Sequence, residues 1–168
     1  MVSCRKFKLI FLLALLAGCS PKPHPQLIVG MELAYPPFET TDTHGQPSGV
    51  SVDLARDLGQ ALGREVEIRN IPFDGLIPSL QTRKIDLIIS SMTATEERAK
   101  TIAFSEPYLN TGLCLLVGKS SLIQSMADAD QAGRVLVVKQ GTTGQVYAND
   151  LSLIHISWRS RQMKRRCL

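Results

Sequence analysis

The residues best suited to holding a small anion lie in one stretch, Ser90-Ser91-Met92-Thr93-Ala94-Thr95-Glu96-Glu97-Arg98. Its serines, threonines and guanidinium supply hydroxyls, backbone N–H groups and a cation able to donate two parallel hydrogen bonds to a carboxylate. The stretch follows an apolar, β-branched run, Ile85-Asp86-Leu87-Ile88-Ile89, which reads as a buried strand feeding a loop. Thr93 with Glu96 three residues later is a capping-box pattern, so a helix is expected to start there with Thr93 or Thr95 as its N-cap. Open N–H groups and the helix dipole at such a start favour negative charge. On local features alone the competing reading is a solvated Arg98 and hydroxyls that only cap.

Other elements must place this stretch. Leu27-Ile28-Val29-Gly30 reads as a first buried strand, followed by Tyr35-Pro36-Pro37-Phe38-Glu39, where the prolines forbid helix, and a polar turn over 41–49. A helix follows, with Leu54, Leu58, Ala61 and Leu62 expected on its buried face, Asp53 capping its start and Gly63 ending it. Val66 to Arg69 alternates as a second strand, and Phe73 to Gln81 forms a second helix bent at Pro78, close to its first turn. Alternating strands and helices predict an α/β fold with a mainly parallel sheet. Ligands of such sheets sit beyond the carboxyl ends of the strands, so the loops 32–38, 70–73 and 90–95 should face one crevice.

Downstream, Thr111 to Val117 is expected as another apolar strand with Cys114 packed in it, then a turn and short helix over 120–133. Arg134-Val135-Leu136-Val137-Val138 reads as a further buried strand, and a helix runs into Tyr147. Between them Gly141-Thr142-Thr143 repeats the logic of the central stretch, a strand end and a helix start aimed at an anion. A plain glycine turn with a capping Thr is the alternative.

Charge is concentrated at the ends. The 168 residues carry a formal +4, yet three basic residues fall in the first eight positions and five in the last ten. Between 19 and 150 the remaining 11 basic residues face all 15 acidic ones, so the body is at −4 and lacks the basic stripe that a nucleic-acid partner would require. Residues 1–18 have a basic start and an apolar stretch from Leu9 to Ala17, the proportions of a secretory signal and too short for a bilayer span. Leu16-Ala17-Gly18-Cys19 resembles a bacterial lipobox, which implies cleavage before Cys19, acylation there and anchoring to a membrane. The proline-spaced stretch within 19–26 reads as an extended tether. Neither a disulfide framework nor metal-ligand spacing is present, and no cofactor is expected.

Five collinear motifs then match a known family: Tyr-Pro-Pro-Phe-Glu at 35, Gly-Val-x-Val-Asp-Leu at 49, Phe-Asp-Gly-Leu-Ile-Pro-Ser-Leu at 73, the 86–98 stretch and Phe-Ser-Glu-Pro-Tyr at 104. From about Leu27 to Asn149 the chain resembles the family 3 solute-binding proteins, the amino-acid receptors of bacterial ABC importers. The resemblance implies a periplasmic-binding-protein-like (type II) two-lobed α/β fold, with the first lobe at 27–111 nearly complete and the second, at 112–150, partial. It implies that Tyr35 and Phe73 cover the ligand side chain. Ser90, Ser91 and Thr93 would meet its α-ammonium and carboxylate, and Arg98 would pair with the carboxylate. Thr142 and Thr143 would close from the second lobe, and Glu32 matches an acidic position able to meet a basic side chain. It further implies a monomeric, non-enzymatic receptor in the periplasm or cell envelope, lipid-anchored through Cys19, that delivers a polar amino acid to an ABC permease in the inner membrane. Dehydratases of cyclic precursors of aromatic amino acids, of the cyclohexadienyl or arogenate type, stand as the enzymatic alternative on the same fold. A sensory domain or one fused to a lytic transglycosylase is a third reading.

The pattern breaks after about Asp150. Leu-Ser-Leu-Ile-His-Ile within 151–168 resembles the translation of a transposon end used in sequencing adapters, so this basic tail is read as artefactual, against a genuine tail touching acidic lipid. His155 and Trp158 accordingly receive no functional role. With part of the second lobe missing, the chain is expected to bind amino acid poorly or not at all.

Overall fold

The computed structural model describes residues 26–151 and, as backbone, 155–158. The expected signal peptide, Cys19, most of the tether and most of the basic tail lie outside the described residues. Strand β1 (Leu27–Met31) is the centre of a three-stranded parallel sheet, between β4 (Val66–Asn70) and β5 (Leu87–Ile88). Its register sets Leu27 against Val66 and Met31 against Asn70 on one side, and Val29 against Leu87 on the other. A short antiparallel hairpin, β2 (Thr40–Thr41) with β3 (Pro47–Ser48), lies between β1 and the first helix.

Helices cover both faces of the sheet because β1 alternates its side chains. Leu27, Val29 and Met31 are buried with Val52 and Ala55 of helix α1 (Val50–Leu62), and with Leu33 and Ile89. The opposite face is opened by Gly30, where an added Cβ would come 2.4 Å from Ile85 Cδ1 and 3.2 Å from Leu76 Cδ2. Leu76 belongs to helix α2 (Phe73–Gln81), so the missing side chain at Gly30 lets that helix and the chain entering β5 lie close to the strand.

The buried face of α1 differs from the one expected. Ser51, Val52, Ala55 and Gly59 are buried, Leu58 packs at their edge, and Leu54, Ala61 and Leu62 point to solvent. Small residues win because the helix runs tight against the sheet: a Cβ on Gly59 would meet Val66 Cγ2 at 2.2 Å. Asp53 does not cap this helix. The N-cap is Gly49, at φ 117°, and Asp53 stands in the first turn with an exposed pair to Arg56 at 3.4 Å. Pro78 stands at the sixth position of α2, further in than the sequence suggested, and withholds an N–H from the Asp74 carbonyl one turn back.

After β5 comes a single turn, α3 (Glu96–Ala99), whose N-cap is Thr95: its hydroxyl accepts from the Arg98 N–H at 3.3 Å. Thr93 lies outside the cap. Residues 111–117 form no strand, since no described strand lies alongside to satisfy their backbone, and Cys114 is exposed. Helix α4 (Met126–Ala129) follows, with a Ser125–Asp128 capping box, then strand β6 (Val135–Val138) and helix α5 (Thr143–Asn149). β6 pairs in parallel with β7 (His155–Trp158), Val135 against His155 through Val138 against Trp158. It is not the buried strand that its composition suggested, for Val135 and Val137 are exposed.

Candidate functional site

Three loops leave the carboxyl ends of β1, β4 and β5 and are stitched together by side chains. The buried Ser90 hydroxyl accepts from the Glu32 N–H at 2.9 Å, and Asn70 Oδ1 accepts from the Leu33 N–H at 3.0 Å. The turn after β5 continues through Ser91, held in the left-handed region at φ 49°, an uncommon conformation for a residue with a Cβ. Its hydroxyl donates to Glu39 Oε2 at 3.0 Å, and the Ser51 hydroxyl donates to the same oxygen at 2.6 Å.

Glu39 is thus a buried carboxylate that fixes the site from behind. Burial raises its pKa above the ordinary carboxylate value, opposed by the hydrogen bonds from Ser51 and Ser91 and by the positive charge of Lys139. Tyr108 approaches the same group: partial burial, and then the Glu39 charge, raise its phenol.

Arg98 lies at the mouth of this arrangement. Its Nη1 donates to the Thr93 carbonyl at 2.7 Å and its Nη2 to the Gly141 carbonyl at 2.8 Å, so one guanidinium joins the central stretch to the turn after β6. The same group sits 5.6 Å from the centre of the Phe73 ring, within range of a cation–π attraction. Partial burial draws its pKa down, though a guanidinium stays charged. Among the described residues no carboxylate pairs with it. A half-buried cation satisfied by neutral carbonyls and an aromatic face leaves a site where an anion is favoured.

The second wall comes from the turn after β6. Lys139 forms an ion pair with Glu32 across the crevice, and its ammonium is 5.8 Å from the centre of Phe73. Gly141, at φ 78°, comes so close to Asp74 that a Cβ would meet its backbone at 3.1 Å. The Thr142 hydroxyl donates to the Lys139 carbonyl at 2.7 Å and accepts from the Gln145 N–H at 3.3 Å, capping α5.

Of the residues singled out in the sequence, Glu32, Phe73, Ser90, Ser91, Thr93 and Arg98 line or support one crevice, with Thr142 and Thr143 at the helix start opposite. Ser90 and Ser91 spend their hydroxyls on holding loops, Thr93 contributes a carbonyl, and Thr142 caps. Tyr35 stands apart, more than half exposed, its ring stacked on Phe38 at 5.7 Å. Sequence reasoning gave no role to Glu39, Lys139 or Asn70. The available signals were an acid ending an apolar Pro-Pro-Phe run and a cation at a strand end just before Gln-Gly-Thr-Thr. Among the described residues no group of three His, Cys, Asp or Glu side chains is placed to hold a metal ion.

Comparison with known proteins gives a consistent result. A family model of the bacterial extracellular solute-binding proteins, family 3, matches residues 27–159. The histidine-binding periplasmic protein of Escherichia coli K12 is 37% identical over 127 residues, covering 75% of this chain and 48% of that protein. The arginine-binding periplasmic protein of Mannheimia haemolytica is 37% identical over 137 residues, covering 81% and 54%. Among solved structures, an ancestral amino acid-binding protein described as a precursor of cyclohexadienyl dehydratase matches at TM-score 0.77 with 38% identity, covering 80% of this chain and 60% of that one. The chain spans about half the length of the curated relatives it matches.

Proposed function

The chain belongs to the bacterial extracellular solute-binding proteins of family 3 and has the two-lobed (type II) α/β fold of periplasmic amino-acid-binding proteins; from that premise we propose that it forms the first lobe and the beginning of the second lobe of a receptor for a polar amino acid. The ligand α-carboxylate docks on Arg98, on the N–H groups of 90–93 and on the Thr93 hydroxyl, with Ser90 and Ser91 holding those N–H groups in place, and the loop at 141–143 closes from the other side. Closure traps the ligand, and no bond is made or broken. The receptor is anchored through Cys19 on the outer side of a membrane and hands its ligand to an ABC permease.

One observation carries this reading: Arg98 is partly buried, bridges both walls of the crevice, and among the described residues is matched by carbonyls and the Phe73 ring with no carboxylate partner. An enzymatic reading needs an acid or base with access to substrate. Glu39 has the raised pKa such a role would use, but its carboxylate is buried and committed to Ser51 and Ser91. Calorimetry on the full-length receptor with a panel of L-amino acids tests the proposal. Removing one partner of a buried hydrogen-bonded charge pair costs about 2–5 kcal/mol, so Arg98→Met is expected to weaken binding roughly 30-fold or more. Unchanged affinity in that variant would overturn the assignment.

A further inference from the structure

Glu39 is fixed at both its ends. Its backbone closes the loop after β1: the carbonyl accepts from the Tyr35 N–H at 2.7 Å and the N–H donates to the Tyr35 carbonyl at 3.0 Å. The adjoining Phe38 carbonyl accepts from the Ser51 N–H at 2.8 Å, which ties the same loop to the start of α1. The residue is 1% exposed, and a single oxygen, Oε2, takes both the Ser51 and the Ser91 hydroxyl. The two serines depend on that oxygen to different degrees. Ser51 belongs to helix α1, whose backbone places it with or without its hydroxyl bond. Ser91 is a non-glycine residue at φ 49°, a conformation that persists only where the surroundings enforce it. The bond enforcing it comes from a carboxylate 52 residues away in sequence.

The strength of that bond depends on charge. A hydroxyl donating to an ionised carboxylate makes a bond roughly twice as strong as one donating to a neutral acceptor. With two donors already on Oε2, an added proton goes to the other oxygen and leaves Oε2 as the carbonyl of a neutral acid. Burial raises the Glu39 pKa, so this proton arrives at a higher pH than on an exposed carboxylate. Around the group, Lys139 from the turn after β6 favours the charged form, Glu32 at the end of β1 opposes it, and the Tyr108 phenol faces it from beyond α3. Asp53, in the first turn of α1, pairs with Arg56 at the surface, and Arg98 is engaged by the Thr93 and Gly141 carbonyls. A zwitterionic ligand is drawn to Glu39 by its ammonium and repelled by its carboxylate, so the bare charge largely cancels. The geometry of the turn then decides the effect.

We infer that Glu39 is a positioning residue that makes ligand capture proton-dependent: charged, it clamps Ser91 in the left-handed turn that presents the 91–93 backbone to the crevice, and protonated it lets that turn relax, so affinity falls in acid. Glu39 acts without touching the ligand, through the one hydroxyl that holds the turn. The inference rests on the crevice being an amino-acid site.

The test is calorimetric titration of the full-length receptor with the twenty L-amino acids, the tightest binder then being followed from about pH 8 to about pH 4 in wild type, Glu39→Gln and Ser91→Gly. Glu39→Gln is expected to bind about fivefold more weakly than wild type at the upper pH, and the two should converge at the lower one. Glu32, Lys139 and the ligand are common to both proteins, so their own titration drops out of the ratio. Ser91→Gly keeps a residue at ease in the left-handed region but cuts the bond, so adding Glu39→Gln to it should change affinity less than about twofold at either pH. Urea midpoints should move the opposite way, wild type gaining on Glu39→Gln in acid, so a loss of fold does not imitate the loss of affinity. A wild-type to Glu39→Gln ratio that stays constant with pH, or one that still changes with pH when Ser91 is glycine, overturns the inference and leaves the receptor intact. Absence of binding to every amino acid overturns the receptor reading and the inference with it.

Discussion

Residues 27–104 and residues 111–151 are written in the same idiom, apolar strand, small-residue turn, helix, yet they are packed very differently. In the first region Val29, Met31, Val52, Leu76 and Ile85 are sealed between a three-stranded sheet and helices on both its faces. In the second only Ala129 and Ala148 are buried among the apolar residues, while Leu116 and Leu122 are about nine-tenths exposed and β6 turns Val135 and Val137 outward. The difference teaches that an apolar run specifies a strand's composition, and that its burial depends on what lies on either side. It also divides the labour at the crevice. The first region holds its site residues through buried partners such as Ser90 and Glu39. The second presents its contributions, the Gly141 carbonyl and the Lys139 ammonium, to a wall that is already built.

That contrast can be broken most directly by truncating one side chain in each region. Leu76→Ala removes a fully buried side chain from between α2 and the sheet and is expected to cost about 2–5 kcal/mol in urea unfolding followed by far-UV circular dichroism. Val135→Ala removes comparable apolar bulk from an exposed position and should stay within about 0.5 kcal/mol. Equal losses would mean that the second region is packed as tightly as the first.

A smaller effect sharpens the account of Glu39. Because burial raises its folded pKa above the ordinary value of 4.5, the protonated carboxyl is favoured by the fold. Its stabilising share is fully present below the unfolded pKa and is lost as pH rises through the folded one. Wild type should therefore lose stability relative to Glu39→Gln as pH rises from about 4.5, read as diverging urea midpoints. Parallel pH curves would show that the buried carboxyl is not perturbed. The smallest perturbation is chemical: with the other three cysteines replaced by serine, Cys114 should react with a thiol reagent at the rate of an exposed residue, whereas slow labelling would place it in a packed strand.

How far the sequence carries depends on how local each determinant is. Strand β1, the strand-to-loop passage into Ser90 and the parallel α/β arrangement were legible because their signals lie within a few residues of one another. The same holds for the conjunction of Arg98 with the turn that precedes it. The buried face of α1 was not, because Gly59 is selected by the approach of Val66 and leaves no apolar signature of its own. Nor was Glu39: its hydroxyl donors are 12 and 52 residues away, and only the folded chain brings them to one oxygen. The Glu32–Lys139 pair is further still from any sequence window, and an acid that looked available to a ligand proves to be answered from the opposite wall.

Arg98 has one nitrogen on Thr93 and another on Gly141, so its orientation is set jointly by two stretches of backbone that are remote in sequence. Such a side chain works as a coincidence detector. It is correctly aimed only while both halves are in place, and on the proposed reading whatever loosens either half would blur its grip on an anion before any residue touching that anion has changed.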